Sequence, residues 1–402
     1  MSSPILFPEL LEMVLDELAR AKTTLSSCSI CIPYKDRENG EHDLATFPGF
    51  LDDSPHFCNF VRTLLILDIG DENGEDPALA GLDQLVAVLD RLERLHTLEF
   101  RGLDFDTVLS RSFIGQFALE KLTIDALDNE FGIEVLNLLC LFSSVRTLEI
   151  TEVRYGPFLH SYGNGYDIEY DLSEFNLPMD LAIQNLKMEG GSDGASQVFF
   201  FETFHRTASI QTLTSIVVDC EESEEIYSLL RLIKAAAPTL KAISMDVIRD
   251  IHSEETELWK KHIAALDDCV SLESLSLGVY NNPHSSFGNG VWYRFLHTLR
   301  HVSRGIRHIT VNLMGTIEGF HSQAAETDWQ QLDARLAMFS RLESLTVDLG
   351  FFDERLGFGS PPSDSDLTDI GQIFKSNLPR SRRILTILPH IPWPRQNVTQ
   401  GE

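Results

Sequence analysis

The chain lacks long apolar runs, lacks an excess of positive charge and is sparing with cysteine and tryptophan. Its six cysteines, Cys28, Cys31, Cys58, Cys140, Cys220 and Cys269, are scattered through 402 residues. That is too sparse for the disulfide framework of a small secreted domain, and reduced thiols are expected. Apolar stretches such as residues 63–69 fall far short of the roughly 20 residues a membrane-spanning helix needs. The first residues do not follow the basic, apolar, small-residue order of a signal peptide, so a soluble protein of the cytoplasm or nucleus is expected. Against 61 acidic residues there are only 32 basic ones, a net charge of −29. Such a chain repels phosphate backbones and anionic lipid, so neither nucleic acid nor a membrane is an expected partner.

What the chain does have is a short phrase, L-x-x-L-x-L, that returns along most of its length. The clearest copy is Leu272, Leu275 and Leu277 within residues 271–277. In an extended strand Leu275 and Leu277 point to one face and Ser276 to the other. One short strand cannot bury that face alone, so its recurrence implies stacked repeats. Taking the fourth residue of each phrase as an anchor gives Leu64, Leu98, Leu122, Leu148, Leu186, Ile216, Ile243, Leu275, Ile309, Leu345 and Leu385. The gaps run from 24 residues (Leu98 to Leu122) to 40 (Leu345 to Leu385), mostly longer than ordinary leucine-rich repeats, and helices fit in the excess.

Helical stripes precede several anchors. They are Leu82, Leu85, Val86, Leu89 and Leu92; Ile226, Leu229, Leu230 and Ile233; Leu258, Trp259, His262, Ile263 and Leu266; and Trp329, Leu332, Leu336 and Phe339. Helix and strand in alternation predict an α/β fold, an irregular leucine-rich-repeat solenoid with a curved parallel sheet and outer helices. Residues 61–388 would form it, with 33–60 a linker and 389–402 a flexible tail. Residues 155–179 and 351–366 interrupt the rhythm with loop-type composition.

The N-terminus differs. Phe7, Leu10, Leu11, Val14, Leu15 and Leu18 make one helical stripe, with Pro8 in its first turn. A second short helix capped by Thr23 or Thr24 would carry Leu25, Cys28 and Cys31. The run Phe7-Pro8-Glu9-Leu10-Leu11-x-x-Val14-Leu15-x-x-Leu18, then Leu25-x-x-Cys28-Ser29-Ile30, resembles the first half of an F-box. Residues 50–64 are similar to the lead into the repeats of fungal F-box-like, leucine-rich-repeat-like proteins. That resemblance implies a helical segment over 1–32 that docks a Skp-type adaptor of a cullin-RING ubiquitin ligase. It also implies a repeat domain that receives the target protein. Phe7, Pro8, Leu10, Leu11, Leu15 and Leu25 are the implied adaptor contacts. The family pattern continues with Val-Cys-Arg-x-Trp; here Cys31 is followed by Ile32-Pro33-Tyr34, and no tryptophan precedes Trp259.

Chemistry is sparse. Cys28-x-x-Cys31 has no second ligand pair at zinc spacing, and His297 and His301 lack the intervening glutamate of a zinc protease. The acidic residues 68–76 do not follow the EF-hand order. No metal, cofactor or catalytic residue is assigned, and a non-enzyme is expected. A scaffold without a ligase role is the competing expectation.

One pattern bears on a partner. The residue after each phrase reads Asp68 (one step late), Arg101, Asp125, Thr151, Glu189, Asp219, Asp246, Gly278, Asn312, Asp348 and Leu388. Six of these eleven are acidic, far above the 61 in 402 of the whole chain. Stacked in parallel they would form a column for a basic protein segment. Equally, aspartate and asparagine end strands well by bonding nearby backbone.

Overall fold

The computed structural model describes residues 28–33, 44–67, 79–80, 82–101, 104–105, 114–125, 133–151, 177–189, 194–220, 223–246, 255–281, 290–351 and 363–389. The chain divides into two compact units, Met1–Leu213 and Thr214–Glu402. Both are α/β, with parallel strands joined through helices and no closure into a barrel.

In the first unit the order along the chain is β1 (Cys28–Pro33), α1 (Phe47–Asp53), α2 (Pro55–Cys58), β2 (Val61–Leu67), β3 (Leu79–Ala80), α3 (Leu82–Leu89), β4 (Thr97–Arg101), β5 (Asp104–Phe105), β6 (Phe117–Asp125), α4 (Ile133–Leu139), β7 (Phe142–Thr151), β8 (Ala182–Glu189), α5 (Gly194–Phe204) and α6 (Ser209–Thr212). The two-residue strands β3 and β5 pair with each other. The main strands run in the order β1-β2-β4-β6-β7-β8, all parallel. Their register places Ile30, Leu64, Leu98, Leu122, Leu148 and Leu186 side by side. Two residues on, Ile32, Ile66, Phe100, Ile124, Ile150 and Met188 form a second apolar row. Both rows are buried, because alternate residues of a strand share a face.

The last strand of this unit is finished by hydroxyls. Ser209 Oγ donates to the Leu181 carbonyl at 3.0 Å and accepts from the Ile183 amide at 3.2 Å. Thr212 Oγ1 donates to the Ile183 carbonyl at 2.8 Å. The short helix α6 thereby satisfies backbone groups that would otherwise be buried unpaired.

The second unit contains β9 (Ser215–Asp219), α7 (Ser223–Ala236), β10 (Ala242–Asp246), α8 (Glu255–Ile263) with a 3-10 turn at Ala264–Asp268, β11 (Ser274–Asn281), α9 (Gly290–His301), β12 (His308–Gly315), α10 (Ile317–Glu326), α11 (Trp329–Leu336), β13 (Ser344–Phe351), α12 (Asp364–Asn377) and β14 (Leu385–Pro389). Strands β9 to β14 pair in chain order, all parallel. Ile216, Ile243, Leu275, Ile309, Leu345 and Leu385 align in one row. The first five are at most 2% exposed, and each such side chain contributes about 1.5–3 kcal/mol by burial. On the helical side Trp292, Phe320, Trp329 and Phe374 interlock, with ring centroids 5.3 to 6.0 Å apart, joining α9, α10, α11 and α12. Helix starts are capped by side chains: Thr316 accepts from the Gly319 amide, Asp328 from that of Gln331, and Ser363 and Asp366 form a capping box.

Every anchor chosen from the sequence lies in the register row that the phrase implies, and the four helical stripes begin or fall within helices α3, α7, α8 and α11. Two expectations are corrected. Cys28–Pro33 is a strand paired with β2, not part of a second short helix. Ile30 and Ile32 alternate into the buried face, and β-branched residues at that spacing favour a strand. Residues 33–60 contain helices α1 and α2, whose Phe47, Leu51 and Phe57 are buried, where a linker was expected. The stripe from Phe7 to Leu18, the acidic loop beyond Leu67, most of the two interruptions and the tail beyond Pro389 lie outside the described residues. No described helix is long and apolar enough to cross a membrane.

Candidate functional site: the polar faces of the strands

Between the buried rows stand rows that point the other way. In the first unit one such row is Cys31, Leu65, Glu99, Thr123, Glu149 and Lys187, and the next is Pro33, Leu67, Arg101, Asp125, Thr151 and Glu189. Leu67, not Asp68, holds the β2 place in that row, so the acidic excess is smaller than the one-step-late reading suggested. The carboxylates here are already matched. Arg101 Nε donates to Glu99 at 2.7 Å, Lys121 Nζ lies 2.7 Å from Glu149, and Lys187 Nζ lies 2.8 Å from Glu189. Asp125 accepts from Thr151 Oγ1 at 2.7 Å, and Asn185 donates to Thr147 at 3.1 Å. The charged side chains of this face are half-buried, and each has a partner within the face. A basic segment arriving on it would have to displace these lysines and arginine, which removes most of the Coulombic gain.

The second unit presents a different face. Its central row is Val217, Ser244, Ser276, Thr310, Thr346 and Thr386; the row before it is Ser215, Ala242, Ser274, His308 and Ser344. Neither row contains a lysine, an arginine or a carboxylate. The following row holds Asp219, Asp246, Gly278, Asn312, Asp348 and Leu388. Asn312 donates to Ser276 Oγ at 3.2 Å, and His308 Nδ1 lies 2.9 Å from Ser344 Oγ. The side-chain hydroxyls of Ser244, Thr310, Thr346 and Thr386 bond no group among the described residues. Across neighbouring strands about 4.8 Å apart they leave a shallow strip of short side chains carrying unspent donors and acceptors.

The register therefore brings Asp125 and Glu189 into one row of the first unit, and Asp219, Asp246 and Asp348 into one row of the second. Within the first set Glu189 is matched by Lys187 and Asp125 by the Thr151 hydroxyl, and the cations on the neighbouring Glu99 and Glu149 were missed at sequence level. The i,i+2 pairs Glu99/Arg101 and Lys187/Glu189 were visible as alternate residues of a strand; Lys121 on Glu149 required the register of β6 and β7. Phe7, Pro8, Leu10, Leu11, Leu15 and Leu25 lie outside the described residues.

Other reactive groups among the described residues do not converge. Burial pushes the Cys140 thiol up to about 11, and burial aided by Asp268 pushes that of Cys269 up to about 12. The Cys28 and Cys31 thiols are also raised, chiefly by burial, against the pull of Arg62 and Arg101 respectively. His297 and His301 lie 5.0 Å apart by ring centroids, and His301 Nδ1 is 2.9 Å from Asp267. Among the described residues no three or more His, Cys, Asp or Glu side chains stand together as a metal-binding group. No protein-family model matches the chain, and no curated protein sequence matches it significantly.

Proposed function

We propose that this chain is a non-catalytic protein-recognition subunit of the F-box type. In this reading it is an irregular leucine-rich-repeat solenoid that receives a target on the polar face of its strands. Residues 7–25 dock a Skp-type adaptor of a cullin-based ubiquitin ligase. The observation that carries the recognition half is the hydroxyl row Ser244, Ser276, Thr310, Thr346 and Thr386, in register across β10 to β14. Short polar side chains in that row let a partner approach closely and bond without first displacing internal ion pairs.

The adaptor half rests on the Phe7 to Leu25 pattern. A scaffold without ligase attachment is the second reading, and strand β1 favours it: Cys28–Pro33 is extended and paired where an F-box continues as helix. Retention of a purified Skp-type adaptor by the full chain, beside a Phe7→Ala/Leu11→Ala/Leu15→Ala variant, separates the two. The ligase reading requires binding that the triple variant loses by about tenfold or more, as expected when three apolar anchors are truncated. An unmodified chain that retains no adaptor leaves the scaffold.

A further inference from the structure

The second unit carries a concentration of positive charge at odds with a chain of net charge −29. It lies where strands β12, β13 and β14 begin. Residues 300–308 contain Arg300, Arg304 and Arg307 and no carboxylate; residues 375–384 contain Lys375, Arg380, Arg382 and Arg383 and again none. Arg335 and Arg341 come from the segment between. Parallel pairing brings the three strand starts side by side. The Glu343 and Ser344 amides donate to the Arg307 carbonyl at 2.7 and 3.2 Å, and the Leu345 amide to that of Ile384 at 2.9 Å.

The presenting turns are fixed from within. Asp333, 5% exposed, accepts from the Arg380 amide at 3.4 Å and from Ser381 Oγ at 3.3 Å. Its carboxylate also faces the Arg380 guanidinium at 3.8 Å. Arg335 donates to the Leu299 carbonyl at 2.9 and 2.6 Å. Arg300 and Arg304 lie close enough to Arg335 that, after burial, they add to the lowering of its pKa. Arg307 is spent on Glu343 at 2.6 Å. Arg304, Arg341, Arg382 and Arg383 are exposed and make no side-chain hydrogen bond or ion pair among the described residues.

We infer that the edge where β12, β13 and β14 begin is a docking surface for an acidic peptide segment of a partner protein, gripped by Arg304, Arg341, Arg382 and Arg383. Guanidinium forks on anchored turns suit carboxylates, which they take in bidentate pairs. Neighbouring strands set the turns about 4.8 Å apart, so the patch spans roughly 10 Å, within reach of alternate side chains of an extended peptide. A short acidic segment feels mainly the local field, because charges beyond about 8 Å are screened at physiological salt. A long polyanion instead runs out over the rest of this acidic molecule and is repelled.

The test uses the full chain and a fluorescent peptide of about ten alternating glutamates and serines, read by anisotropy at low and at physiological salt, where the contacts are salt-sensitive. A peptide with glutamine in place of glutamate is the control. The glutamate peptide is expected to bind, to weaken as salt rises, and to lose about tenfold in affinity in the Arg304→Gln/Arg341→Gln/Arg382→Gln/Arg383→Gln variant, the sum of several modest exposed pairs. A variant losing four exposed cations elsewhere, Arg94→Gln/Arg146→Gln/Lys234→Gln/Lys261→Gln, is expected to keep its affinity within about twofold. Equal loss in both variants reduces the effect to net charge and overturns the inference. So does binding of the glutamine peptide as tightly as the glutamate one, or tighter binding of a single-stranded oligonucleotide than of the glutamate peptide.

Discussion

Cys269 and Cys140 show how burial sets chemistry at the scale of one residue. Both thiols are held above their ordinary value of 9.0, at about 12 and about 11, because a thiolate loses its hydration inside the fold. In the unfolded chain they ionise near 9, so between about 9 and 12 the folded state holds more protons than the unfolded one. Stability is therefore full below pH 9 and falls as pH rises through that window. Urea unfolding between pH 8 and 11 is expected to show the fall, and a Cys140→Ala/Cys269→Ala variant to show a shallower one. An identical slope in the variant would assign the loss to other groups. The same burial hides these thiols, and the sequence held no sign of it beyond their neighbourhood of leucines. It did suggest a pairing of Cys28 with Cys31 on one helical side, which the strand undoes. Residues three apart in a strand face opposite ways.

At the scale of elements, what was legible followed period and residue type. Leu272-x-x-Leu275-x-Leu277 and its copies locate each main strand from β2 onward and its register, since apolar residues two apart bury only in one alignment. Strand β1 was missed although Ile30 and Ile32 carry the same alternation, because the preceding Leu25-x-x-Cys28 drew the segment toward a helix. Helices α1 and α2 were missed because they are short, each begins beside a proline, and their buried faces rest on Phe47, Leu51 and Phe57 rather than on a long stripe. The closing of β8 by Ser209 could not be read from sequence at all. It depends on a hydroxyl reaching backbone groups 26 to 28 residues away. Replacing Ser209 by alanine leaves the Leu181 carbonyl and Ile183 amide short of a partner, and is expected to cost about 1–3 kcal/mol in chemical unfolding. A loss below about 0.5 kcal/mol, the low end for a single hydrogen bond, would mean that the contact is dispensable.

At the scale of the whole molecule, the contrast lies between the two polar faces. The first unit spends Arg101, Lys121 and Lys187 on its own carboxylates, while in the second the side-chain hydroxyls of Ser244, Thr310, Thr346 and Thr386 bond no group among the described residues. Composition alone, with 61 acids against 32 bases, could not separate these faces, because the difference resides in register and not in content. The central functional claim is that the hydroxyl strip of the second unit receives a protein. Its most direct measurement compares the proteins retained by the full chain and by a Ser276→Arg/Thr310→Arg/Thr346→Arg variant of matched thermal stability, quantified by mass spectrometry after affinity purification. The expected result is that a partner held by the unmodified chain is lost from the variant, while any Skp-type adaptor retained through residues 7–25 is unchanged. An identical set of partners on both would contradict the claim.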